Sequence, residues 1–256
     1  MFGLGRRIRG AGWSQVKIRA LVALLSLAAA LSGCSAGSNA ILQTLPYAYR
    51  RSPGVDDSRL NPNFRYLRVT IGGHVALLVL GDIDKNAQGP IEVWYSAERE
   101  VLRLQNGRLV GAVGLTTEWR NVALPDLPSW SVAARSNQPF RWTRRRDVMP
   151  GYRFSVKDEL ALRAVAAPPH SDLKGVDAQR LTWFEESIES GKEARRQSLL
   201  GGGLDTANAL PPARFAIDLS GALETVVYAE QCLARDLCFA WQRWPAQVPG
   251  AVGQKQ

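Results

Sequence analysis

The chain has 256 residues, 46% of them apolar and 21% charged. That is ordinary globular usage and excludes a collagen, a coiled coil and a polar low-complexity chain. Of the formal charge of +9, five basic groups (Arg6, Arg7, Arg9, Lys17 and Arg19) fall in the first 33 residues, which hold no acid. The rest carries 27 basic against 23 acidic residues, too mild a balance to claim nucleic acid.

The basic stretch through Arg19 leads into the apolar run Ala20 to Ala30. Eleven residues suit a secretory h-region and are too few for a membrane span of about 20. The run ends in Leu31-Ser32-Gly33-Cys34, which resembles a bacterial lipobox. Small residues before the cysteine let a peptidase reach the backbone, and Leu31 fills an apolar subsite. An ordinary secretory signal with a chance cysteine is the alternative. Residues 1–33 are therefore read as a lipoprotein signal peptide and Cys34 as the lipidated residue, so the chain is anchored to a bilayer and does not span it. Ser35 follows, where an Asp usually retains such proteins at the inner membrane. The expected location is the outer membrane, on its periplasmic face.

Residues 34–62 read as a lipidated tether and lead-in. Phe64 to Ile71 then alternates large apolar and polar groups, the mark of a half-buried strand. After Gly72-Gly73, His74 to Leu80 is a continuous apolar run, expected to be a strand buried on both faces. A polar loop is expected over Asp82 to Pro90, then a strand from Ile91 to Ser96. Asn106-Gly107 between two alternating runs, Val101 to Gln105 and Arg108 to Val113, is the strongest hairpin signal in the chain.

Further strands are expected at Arg153 to Val156, Leu160 to Val165, Phe215 to Leu219 and Ala222 to Tyr228. Leu181 to Ile188 is ambiguous between strand and helix. Gly201-Gly202-Gly203 reads as a linker. No βαβ spacing recurs. The fold class is mainly β: an antiparallel β-sandwich or barrel-like domain with few short helices, over residues 63–250. With Cys34 committed to lipid, Cys232 and Cys238 remain as an even pair. An oxidising periplasm makes a disulfide the natural reading, with two buried thiols as the alternative.

The segments Arg65 to Val69, Leu80-Gly81, Glu92 to Ser96, Val101 to Arg108 and Gly114 to Trp119 resemble the group 4 capsule lipoproteins, the YjbF/GfcB-like family of polysaccharide secretion loci. Phe215 to Gln231 is similar to that family's second turn-and-strand segment. Arg195 to Pro212 and the Cys232/Cys238 pair have no counterpart in it. The resemblance implies an accessory role in making or exporting an extracellular polysaccharide, with other secretion proteins as partners and no established catalysis.

A glycan-cleaving enzyme needs two carboxylates flanking a cleft. Asp82 with Asp84, Glu118 beside Trp119, and Glu185-Glu186 are the candidates; each reads more simply as a turn acid or a solvated face. His74 and His170 lack a nucleophile at recognisable spacing, and with two histidines and three cysteines no metal or cofactor is expected. The chain is read as no enzyme. Binding has better support. Trp130 and Trp142 lie in polar sequence and are expected to be exposed, whereas Trp94 and Trp183 read as core. Trp142 sits among Arg141, Arg144, Arg145 and Arg146, a loop suited to acidic polysaccharide or lipid headgroups. Three readings follow: a non-catalytic export accessory, a glycan-binding module using that loop, and a polysaccharide-modifying enzyme.

Overall fold

The computed structural model describes Asp56, residues 59–189 and residues 210–246. The signal peptide, Cys34, most of the tether and the Gly201 linker lie outside the described residues. Alternation along the chain resolves into twelve strands. They are β1 Tyr66–Ile71, β2 His74–Asp84, β3 Ile91–Tyr95, β4 Val101–Gln105, β5 Arg108–Val113, β6 Glu118–Ala123, β7 Phe140–Met149, β8 Arg153–Val165, β9 Thr182–Ile188, β10 Ala213–Asp218, β11 Thr225–Ala234 and β12 Leu237–Trp244. Each pairs antiparallel with the next, and β12 closes on β1 through Tyr66 opposite Trp244 and Ile71 opposite Phe239. Of the two expected architectures the barrel is the one formed, and closure leaves no unpaired edge.

Up-and-down order fixes what lies at each mouth. The start of β1, the end of β12 and the β2–β3, β4–β5, β6–β7, β8–β9 and β10–β11 connections share one end, here the entry end. The remaining turns share the far end. The Asn106-Gly107 turn takes the expected form, with φ of 48° and 79°, both left-handed as a type I′ turn requires. A Cβ at Gly107 would lie 2.6 Å from Val226.

Side-chain period 2 sends Leu67, Val69, Trp94, Leu102, Trp119, Leu162, Phe184, Phe215, Phe239 and Trp241 into one interior cluster. Small barrels of about eight strands fill with ordinary side chains, and wider ones need large residues or a plug. Here the plug is α1, Trp130–Ala134, the α-helix of the β6–β7 connection, which adds Trp130 and Ala133 to the core. A second cluster lies outside the wall, where the 166–181 connection straps across β9 to β12. Val165, Leu173 and Val176 cover Trp183, Ala216, Val227 and Tyr228. Gln242 ties the strap down, accepting from Lys174 N at 2.8 Å and donating to Lys174 O at 2.7 Å.

Several elements differ from the sequence reading. β2 does not stop at Leu80: it runs to Asp84, and only Leu78 in it is fully buried. A register shift between Leu80 and Asp82 re-aims the strand, and the Tyr95 ring lies 2.5 Å from where a Cβ on Gly81 would stand. Arg153 to Val165 is one strand because Lys157-Asp158-Glu159 also alternates. Lys157 and Glu159 pair outside at 2.9 Å while Asp158 turns inward. Leu181 to Ile188 resolves as a strand. Trp130, expected to be exposed, is 5% exposed, because α1 carries it into the lumen.

The outer wall of β7 to β10 carries Arg141, Lys157, Glu159, Arg163, Glu185 and Arg214, all ion-paired. Ion pairs on this outer wall are the reverse of the apolar outer band of a membrane barrel.

Candidate functional site

The interior is not wholly apolar. Arg108 opens β5 and donates through Nε to Glu186 Oε2 of β9 at 3.0 Å. Glu186 Oε1 lies 3.8 Å from Arg144 of β7. Arg144 donates twice to Asp158 Oδ2 of β8, at 3.0 and 2.8 Å. Arg146 reaches both oxygens of the same carboxylate, at 2.7 and 3.2 Å. Three guanidiniums and two carboxylates thus form one buried chain across four strands. Gln231 of β11 joins nearby, accepting from Leu109 N and donating to Gly107 O.

Desolvating such groups is expensive unless they are paired, and aromatic faces supply part of the compensation. Arg108 lies 4.1 Å above Trp130, and Arg144 and Arg146 lie 4.7 and 4.9 Å from the Trp119 ring. Burial pushes Arg108 below its ordinary value, against the pull of Glu186. Burial alone would raise Asp158, but the hydrogen bond from Arg146 and the charges of Arg144 and Arg146 outweigh it and hold the carboxyl low. The plug is fastened from across the mouth by Glu224, which accepts from Trp130 N at 2.8 Å and Ser131 N at 2.9 Å.

The arginine-rich segment is therefore not a loop. It is the middle of β7, and its period-2 alternation splits it between two faces. Trp142, Arg144 and Arg146 point into the lumen; Arg141 and Arg145 point out. Arg144 and Arg146 are consumed by Asp158, Arg141 pairs with Glu189 at 2.8 Å, and Arg145 lies 3.5 Å from Ser155 Oγ. Trp142 is half-buried, its Nε1 without a hydrogen-bond partner among the described residues. The four-arginine surface around one indole does not form.

The acids weighed as catalysts are also dispersed. Asp84 pairs with Arg103, Glu118 with Arg120 at 2.6 Å, and Glu185 with Arg163 at 2.7 Å. Asp82 accepts from Ile83 N. Cys232 and Cys238 stand directly opposite in the β11–β12 register and are disulfide-bonded. Among the described residues no cluster of three His, Cys, Asp or Glu is placed to hold a metal.

An open cavity adjoins the charged chain at Arg108. At the entry end, beside the plug, the β2–β3 loop, the β4–β5 turn and the segment before α1 enclose about 190 Å³. Ala87 and Gln88 line it from the first, Gln105 and Asn106 from the second, and Leu124 to Leu127 from the third, with Arg108 in the wall. Gln105 is buried and braces the loop, donating to Gly89 O at 2.9 Å. Asn86 Oδ1 accepts from Gln88 N at 2.9 Å.

The family model of the group 4 capsule polysaccharide lipoproteins, described as gfcB, YjbF, matches residues 61–193, just over half of the chain. The chain belongs to that family. Membership in a lipoprotein family carries membrane anchoring with it. The match runs from the lead-in of β1 through β9 and so includes every member of the buried charged chain. A solved structure is also similar: the crystal structure of the hypothetical lipoprotein YmcC from Escherichia coli (K12). It is 17% identical over 75% of this chain and 89% of that chain, with a TM-score of 0.49. No curated protein matches.

In this capsule lipoprotein the residues that sequence reading missed are those whose role depends on a partner from another strand. Arg108 reads as one more polar position after a hairpin turn, Asp158 as a break between two strands, and Glu186 as half of a solvated pair. One local signal was available: positions 142, 144 and 146 share a face in any strand, so β7 could not present Trp142 and all four arginines together.

Proposed function

We propose that this protein is an outer-membrane-anchored lipoprotein, facing the periplasm, that assists production or export of an extracellular polysaccharide without catalysing a reaction. The family match over residues 61–193 carries this reading. The lipobox at Cys34, outside the described residues, supplies the anchor, and Ser35 favours the outer membrane. A non-catalytic role is supported by the state of the acids, since Asp84, Glu118, Glu185 and Glu186 are each tied to a guanidinium. Other secretion proteins are the expected partners.

The test is deletion of the gene, scored for surface polymer and complemented by wild type and by Cys34→Ala. Loss of polymer restored only by the lipidated protein is expected. Unchanged polymer amount, composition and chain length after deletion would sink the reading.

A second reading, a glycan-binding module, is favoured by the entry-end cavity. The arginine segment no longer supports it, because that segment is committed to pairs within the wall and the lumen.

A further inference from the structure

The buried chain is not charge-neutral: among the described residues Arg108, Arg144 and Arg146 pair with Asp158 and Glu186 alone. Arg144 and Arg146 take Asp158 between them with four hydrogen bonds. Arg108 is bound to Glu186 through Nε and lies over Trp130, and it is the cationic member of this net-positive chain that borders the open cavity. A buried chain with one positive charge in excess favours an anion from outside, and the planar fork of a guanidinium that uses only Nε on its own partner matches a carboxylate.

The rest of the cavity is unlike a simple ion site. Gln88, Asn106 and Asp126 are exposed at its rim and present amide and carboxylate groups, which bond to hydroxyls as donors and acceptors. Leu124 and Leu127 add apolar lining. A volume of about 190 Å³ holds roughly six waters at about 30 Å³ each, the room one sugar ring takes.

We propose that this cavity binds a single acidic sugar residue of the exported polymer, its carboxylate directed at Arg108 and its hydroxyls at Gln88, Asn106 and Asp126. The source of the ligand rests on the export reading; the site itself rests on the geometry.

The experiment titrates full-length lipidated protein in detergent micelles with glucuronate, glucose and glucose 1-phosphate by calorimetry. Glucuronate is expected to bind at least tenfold more tightly than either other sugar. Replacing Arg108 removes a core ion pair and can unfold the barrel, so the deciding variant is Gln88→Ala with Asn106→Gly, both on the exposed rim, glycine keeping the left-handed φ that position 106 requires. It should weaken glucuronate binding at least tenfold with an unchanged melting temperature. No measurable glucuronate binding, equal binding of glucose, tighter binding of the phosphate, or full affinity in the rim variant would each overturn the proposal. The two readings fail separately. A protein whose deletion abolishes polymer but which binds no glucuronate loses the site and keeps the export role. One that binds glucuronate through the rim, with polymer untouched by deletion, keeps the site and loses the export role.

Discussion

Arg108 and Glu186 stand 78 residues apart in sequence and meet at 3.0 Å inside the barrel, each side chain almost wholly buried. Neither is comfortable there alone. Removing one partner leaves a desolvated charge, which costs about 3–5 kcal/mol, whereas replacing both by apolar residues of similar volume is often near neutral. Glu186→Gln should therefore lower stability by several kcal/mol, and Arg108→Met with Glu186→Leu should restore most of the loss. Urea unfolding of the wild type, the single and the double variant decides it. A single variant no worse than the double would mean that water reaches the pair.

Asp158 links stability to acid. Its carboxyl, which burial alone would raise, is held low by Arg146 and Arg144, so its folded value lies below the unfolded one of about 3.9. The stabilisation is present above the unfolded value and is lost as pH falls through the folded one. Unfolding midpoints should drop steeply below about pH 4. Asp158→Asn should be less stable at neutral pH and flatter in the acid range. Parallel curves for the two proteins would show that other carboxylates carry the acid transition.

Local pattern and long-range pairing divided the legibility of this fold. The Asn106-Gly107 hairpin was readable because a type I′ turn depends on two adjacent residues. The β11–β12 bridge was readable because its cysteines are close in sequence. Alternation also gave β1, β3, β4 and β5 almost to their ends. β6, β7 and β12 were missed because their inward positions hold Trp119, Arg144, Arg146 and Trp241, and a charged or indole-bearing strand does not look apolar on one face. Trp130 was placed outside for a similar reason: its neighbours are loop-like, and only the barrel mouth explains its burial. The candidate site was least legible, since Arg108 of β5 meets Glu186 of β9 only on closure, while Arg144 and Asp158, opposite each other in the β7–β8 pair, stand where no strand was expected.

The disulfide makes a separate prediction. Cys232 and Cys238 are six residues apart and opposite each other in register, so the bond closes a short loop over the β11–β12 turn. Short loops restrict the unfolded chain modestly, by about 2 kcal/mol on the chain-entropy account. Reduction, or Cys232→Ser with Cys238→Ser, should lower the unfolding free energy obtained from urea titration by about that amount and leave the barrel folded. Collapse of the fold on reduction would mean that the bridge holds β12 in the closing pair with β1.

Glu224 makes the last prediction, because it fastens the plug from a different connection. Its two oxygens accept from Trp130 N and Ser131 N, the first amides of a helix only five residues long, which has little stability of its own. Burial would raise its pKa, yet the bonds from Ser131, Trp130 and Ser129 outweigh that and hold it low. Glu224→Ala leaves both amides without their acceptor and should cost about 1–2 kcal/mol. The cost should be local. Trp130 sits 5.0 Å from Phe184, 5.2 Å from Phe215 and 4.1 Å from Arg108, so loosening α1 should red-shift indole emission and speed amide exchange over Trp130–Ala134. Leu223→Ala, at an adjacent residue that is 82% exposed, should do neither. Unchanged exchange in Glu224→Ala would show that packing of Trp130 alone retains the plug, and with it the wall of the entry-end cavity.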